Sequence, residues 1–149
     1  MTRVAASIDI AAPPERVWEL VMDPGRLGDW VTIHRRLGGV SAKPLVKGST
    51  MEQTLHLRGV NMKVRWTVAE AQPGRLAVWE GSGPARATAH TTYRLTPAGE
   101  AGTHFDYEVE FKAPLGPLGA MASRALVGGV PQREADKSLH RLRALIEGS

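Results

Sequence analysis

Cysteine is absent from the 149 residues, which excludes disulfides, thiolate metal sites and cysteine nucleophiles. Long apolar runs are missing too. None approaches the length needed to span a bilayer, and the opening stretch MTRVAASIDIAAPPE has no apolar centre of the signal-peptide kind. A cytoplasmic location with no integral membrane association is therefore expected. Blocks of like charge are lacking as well: the 19 Lys and Arg and 15 Asp and Glu, net +4, are scattered. With no nucleic-acid motif beside them they describe a solvated basic surface, and no nucleic-acid partner is expected. There is no internal repeat, low-complexity tract or linker, so residues 1–149 are read as one domain.

Motifs for common chemistries are also missing. No nucleophile elbow, phosphate loop or coupled carboxylate pair occurs. His34, His56, His90, His104 and His140 sit in different elements without ligand spacing, so no metal and no cofactor are expected.

What remains is pattern. Residues 3–10 alternate, with Val4, Ala6, Ile8 and Ile10 on one side. Pro13-Pro14 then suits a first helical turn, where the missing N–H has no intrahelical partner, and Val17, Trp18, Leu20 and Val21 recur at helical spacing. Asp23-Pro24-Gly25 ends that helix. A second short helix over 25–29 delivers Trp30 to the next strand.

Four further segments alternate cleanly. Inward positions are Met51, Gln53, Leu55 and Leu57, then, after a turn at Gly59-Val60-Asn61, Met62, Val64, Trp66 and Val68. Ala87, Ala89, Thr91, Tyr93 and Leu95 follow, and then Phe105, Tyr107, Val109 and Phe111. Together with a strand over 76–81, they imply a sheet with one wet and one covered face. Across the TPAGEAG turn, Arg94 is expected opposite Asp106 and His90 opposite Glu110. The cover is an apolar stripe at helical period: Leu118, Met121, Ala122, Ala125 and Leu126, then Leu139, Leu142, Leu145 and Ile146. VGGVP at 127–131 interrupts it, so a break between Leu126 and Gln132 is expected, either as a turn that Pro131 follows or as a hinge for residues 115–127.

The stretches IDIAAPPERVWELVMDPGRLGDWV, WTVAEAQPGRLAVWEG and FKAPLGPLGAMASRALVGGVPQREADKSLHRLRALIEG carry a resemblance. Together they resemble the SRPBCC superfamily, with its START-like and birch-pollen-allergen-like domains, and within it the polyketide cyclase/dehydrase branch. The resemblance implies an α+β helix-grip fold. In that fold a seven-stranded curved antiparallel sheet wraps a long C-terminal helix, two short helices lie between strands 1 and 2, and an apolar cavity is enclosed. The two short helices would then seal one end, with Trp30 starting the strand beside the mouth.

Fold does not select among that family's activities, so function is read from the inward residues. Cavity-lining candidates are Trp30, Gln53, Leu55, Val64, Trp66 and Thr91, with Tyr93, Phe105, Tyr107, Met121 and Leu126. An apolar wall with a few polar groups suits a hydrophobic or polycyclic small molecule such as a secondary metabolite or lipid. The expected role is binding by a monomer or homodimer. The alternatives are an aromatase/cyclase or dehydratase using His34, Tyr93, Tyr107 or Glu80 as acid or base, and an interaction subunit without ligand chemistry. An arginine commonly polarises the carbonyl in the cyclase branch, whereas Arg58, Arg65 and Arg94 fall on outward positions here. Trp18 and Trp66 fall on covered faces rather than on an exposed stacking platform.

Overall fold

Alternating residues become seven strands because each can bury one face and wet the other. The computed structural model describes residues 2–41, 43–117, 119–120 and 129–148. The strands are β1 (Thr2–Ile10), β2 (His34–Gly38), β3 (Thr50–Leu57), β4 (Val60–Gln72), β5 (Leu76–Ser82), β6 (Thr88–Ala98) and β7 (Gly102–Lys112). All neighbours pair antiparallel, in the spatial order β1-β7-β6-β5-β4-β3-β2. Helix α1 (Pro14–Val21), a 3-10 turn (Pro24–Arg26) and α2 (Leu27–Trp30) connect β1 to β2, and α3 (Val130–Glu147) follows the sheet. The result is the α+β helix-grip architecture: α3 packs along β1 and against α2 on the covered side of the sheet.

The covered face follows the alternation. Met51, Val64, Trp66, Val68, Tyr93 and Leu95 are buried. Helix α1 begins at the proline pair, with Pro14 in its first turn, and buries Val17 and Val21. Ile10, Val17, Val21, Phe105, Leu142 and Ile146 are buried in the same apolar core. Two ties fasten the chain between β1 and α1: the Thr103 hydroxyl donates to the Ala12 carbonyl at 2.7 Å, and the Ala11 amide donates to the Glu147 carboxylate at 3.0 Å.

Two expectations need correction. Trp30 does not start a strand; it is the last residue of α2 and 1% exposed, with ring contacts to Tyr93 and Phe105. A short helix aimed at the sheet inserts its last side chain, and β2 begins only at His34. The β3–β4 turn is Arg58-Gly59, because Leu57 already pairs with Val60. Both turn residues have positive φ, 48° and 79°, as a two-residue hairpin with the sheet's twist requires. The expected register across the TPAGEAG turn holds, with Arg94 opposite Asp106 and His90 opposite Glu110, while the close charge contacts of Asp106 and His90 are to other neighbours. His104 takes Asp106, and His90 lies 3.7 Å from Glu80.

The expected break before the last helix falls at Gly129, whose φ of 72° is left-handed. Pro131 then sits in the first turn of α3, where its missing N–H costs no helical bond. Leu118, Met121, Ala122, Ala125 and Leu126, and residues 127 and 128 of VGGVP, lie outside the described residues.

Candidate functional site

Between the covered face of the sheet and α3 lies a cavity of about 210 Å³. Every strand except β2 contributes to its wall, as do α2 and α3. Its sheet wall carries Leu55, Met62, Val64, Trp66, Trp79 and Val109, and α3 adds Pro131, Ala135 and Leu139. Exposed Thr88 and Lys112 mark the side nearest solvent.

Of the residues expected to line it, Trp30, Gln53, Leu55, Val64, Trp66 and Thr91 do so, and Tyr93 and Tyr107 join them. Phe105 does not. It is fully buried behind the wall, edge-on to Trp30 and 5.5 Å from the Tyr93 ring. Met121 and Leu126 lie outside the described residues.

The acid–base candidates separate by face. Glu80 pairs with Thr67 and His90 on the outer face, its side chain 65% exposed, so it has no access to the cavity. The parity is simple: β5 turns Ala77, Trp79 and Gly81 inward and Glu80 outward. Tyr93 and Tyr107 are cross-strand partners with ring centroids 6.0 Å apart. Burial pushes the Tyr107 hydroxyl up to about 12 and raises Tyr93 as well, the latter also through its neighbour Tyr107. Both stay protonated at neutral pH and serve as hydrogen-bond donors or acceptors, not as bases.

His34 reaches the inner side through a bulge. The register shifts between His34 and Arg36, so His34 opposes Leu55 and Leu37 opposes Gln53, both inward. Its Nδ1 lies 2.8 Å from Gln53 Nε2. The Trp66 indole donates to the other end of the same amide, Nε1 to Oε1 at 2.9 Å. Burial lowers the His34 pKa below its ordinary value. His34 is not itself part of the cavity wall; Gln53 stands between.

Besides Thr88 and Lys112, two polar wall residues on α3 were not expected from the sequence, Glu134 and Ser138. The Thr32 hydroxyl donates to Glu134 Oε2 at 2.8 Å, and the Thr32 amide to the Ser138 hydroxyl at 3.0 Å. These bonds fasten the segment before β2 to α3 along one seam of the cavity. The signal was available: Pro131, Glu134, Ala135, Ser138 and Leu139 share one helical face, so two polar residues interrupt an apolar stripe. Trp79 is 3% exposed on the inner wall. Among the described residues no three His, Asp or Glu side chains converge as a metal site, and no described helix is long and apolar enough to cross a membrane.

The family profile described as "Polyketide cyclase / dehydrase and lipid transport" matches residues 1–147. A Mycobacterium tuberculosis (strain H37Rv) protein named Toxin Rv0910 is 27% identical over 128 residues, which is 85% of this chain and 88% of that protein. Solved structures that share the fold include these two. TTHA0849 from Thermus thermophilus superposes with a TM-score of 0.76 at 19% identity, covering 99% of this chain and 98% of that one. The Zhui aromatase/cyclase from Streptomyces sp. R1128 does so with a TM-score of 0.76 at 13% identity, covering 98% and 93%.

Proposed function

We propose, from the premise that the chain belongs to the polyketide cyclase / dehydrase and lipid transport family, that it binds a hydrophobic or polycyclic small molecule between sheet and α3. The observation that carries this reading is the cavity itself, about 210 Å³ with a largely apolar wall. That exceeds the roughly 150 Å³ that encloses a benzene ring in a protein core, so one or two fused rings match it in size. Apolar burial supplies the affinity, at about 25 cal/mol per Å² removed from water. Gln53, Thr91, Tyr93 and Tyr107 supply orientation.

Turnover is the less supported alternative. Arg58, Arg65 and Arg94 are exposed, Glu80 is on the far face, and the tyrosines stay protonated. Titration with the neutral dye N-phenyl-1-naphthylamine tests the binding reading. The dye is expected to brighten on binding and to quench Trp66, and Trp66→Phe should lose most of that quenching while keeping the fold. Native mass spectrometry of protein from its own host should retain a small-molecule adduct. A protein that takes up no dye and carries no adduct does not bind in this way.

A further inference from the structure

Hydrogen-bond counting through Gln53 fixes more than the fold requires. Trp66 Nε1 can only donate, so the atom it meets at 2.9 Å is the Gln53 carbonyl oxygen. The amide orientation is thereby set, and its NH₂ faces His34 Nδ1 at 2.8 Å. That ring nitrogen must accept, so the His34 proton sits on Nε2 and the ring is neutral. Gln53 is 5% exposed and is itself cavity wall. Its two described side-chain bonds leave one N–H and one lone pair unspent.

We propose that His34 is the positioning residue of the cavity: it holds the Gln53 amide in the one orientation that satisfies Trp66, and its protonation releases that amide and weakens ligand binding. A second proton on His34 goes to Nδ1, which then faces an N–H. Gln53 can offer its oxygen to the charged ring only by turning its NH₂ toward the Trp66 indole, leaving two donors face to face. No orientation of the amide satisfies both neighbours. The wall the ligand meets is therefore a neutral-pH wall. This inference rests on the ligand-binding reading above.

Among the described residues, the charged groups around His34 each have another partner or point to another face; Glu134 of α3 is held by the Thr32 hydroxyl and lies 3.9 Å from Lys137. From α2, Gly28 lies against the ring, a Cβ there falling 3.5 Å from His34 Cδ2, and its neighbour Asp29 is ion-paired with Arg26. From β3, Glu52 and His56 stand on the face opposite to Gln53, and His56 bonds Asn61. On β2, Arg35 is the exposed bulge residue and Arg36 opposes outward Thr54. Burial is the cause that depresses the His34 pKa.

The test has two arms. In ¹⁵N NMR of the unliganded protein, the His34 ring should show the Nε2–H tautomer, and the Trp66 indole and Gln53 amide resonances should shift together as His34 titrates. An Nδ1–H tautomer, or titration without those shifts, overturns the proposal whatever the protein binds. In the second arm the dye N-phenyl-1-naphthylamine is titrated across pH. Below the His34 pKa its Kd should rise about tenfold per pH unit as the neutral fraction falls. His34→Asn retains an acceptor near the Nδ1 position and cannot titrate. It should bind like wild type at about pH 7.5 and keep that affinity as pH falls through the His34 transition read in the NMR arm, where the wild type loses it. His34→Ala should bind weakly at both. Should the alanine variant fail to fold, wild type against His34→Asn decides alone, and equal pH profiles for those two overturn the proposal. Absence of dye binding at any pH, together with no adduct in native mass spectrometry, instead removes the ligand-binding reading, and the NMR arm still decides the amide.

Discussion

Two histidines on one sheet are pushed in opposite directions. His34, turned inward by the β2 bulge, has its pKa lowered by burial. His104, on the outer face of β7, has its pKa raised, chiefly by its hydrogen bond to Asp9 at 2.6 Å and further by Asp106 at 3.2 Å from its other nitrogen. The sheet is the same, and alternate residues along each strand supply its two faces. Inside, a polar group survives only by fitting a fixed set of partners, as Gln53 does. Outside, charges pair with whichever neighbour is nearest, which is why Asp106 takes His104 although Arg94 stands across from it. Substitutions should therefore cost much on one face and little on the other.

The largest contrast is Phe105→Ala against Glu108→Ala. Phe105 is fully buried between Trp30 and Tyr93, and its truncation should cost about 3–5 kcal/mol through lost burial and a cavity. Glu108 makes an exposed pair with Arg3 at 3.0 Å, a type of contact worth about 0.2–1 kcal/mol. Urea denaturation of both variants measures the gap, and equal costs would break the comparison of faces.

Gly81 gives the next effect, and it sharpens the same contrast from within one strand. It pairs with Trp66 across the sheet and turns inward. A Cβ there would lie 2.8 Å from both Trp66 Cε3 and Val64 Cγ1. Gly81→Ala must displace the indole or the strand, an overpacking cost of about 1–3 kcal/mol. Trp66 would move relative to Gln53, so its emission and the dye affinity should change together. Outward Ser82→Ala, the next residue on β5, should leave stability, emission and affinity unchanged in the same assays.

The faces were readable because period-two alternation is local. Residues such as Met51, Gln53, Tyr93 and Tyr107 declare their side with no knowledge of the fold. Three features depend on tertiary geometry and were not readable. The β2 bulge that brings His34 inward depends on which hydrogen bonds β3 offers. The depth of Trp30 depends on where a one-turn helix is aimed. Phe105 has the parity of a wall residue, and only the packing of α2 over it takes it out of the wall. Glu134 and Ser138 belong to a different class: their helical spacing was visible, and only their polarity kept them off an apolar list.

The smallest effect is the pH dependence of stability, where the two histidines should oppose each other. His34 has a depressed folded pKa, so the unfolded chain takes up a proton at a pH where the folded ring resists it. Its contribution is full above the ordinary histidine value and is lost as pH falls through the window down to the folded one. His104 has a raised folded pKa, so its contribution is full below the ordinary value and is lost as pH rises through the folded one. Asp9→Asn weakens the partner that raises His104 most, and should lower stability on the acid side while sparing the alkaline side. His34→Asn removes the inner titration and should flatten the acid-side loss. The Asp9 effect is small, about 0.2–1 kcal/mol, because the pair is largely exposed and screened. Urea midpoints across the histidine range read both, and the decisive feature is sign. If Asp9→Asn lowers stability equally at both ends, Asp9 acts through packing of β1 on β7, and the outer face is less permissive than its exposure implies.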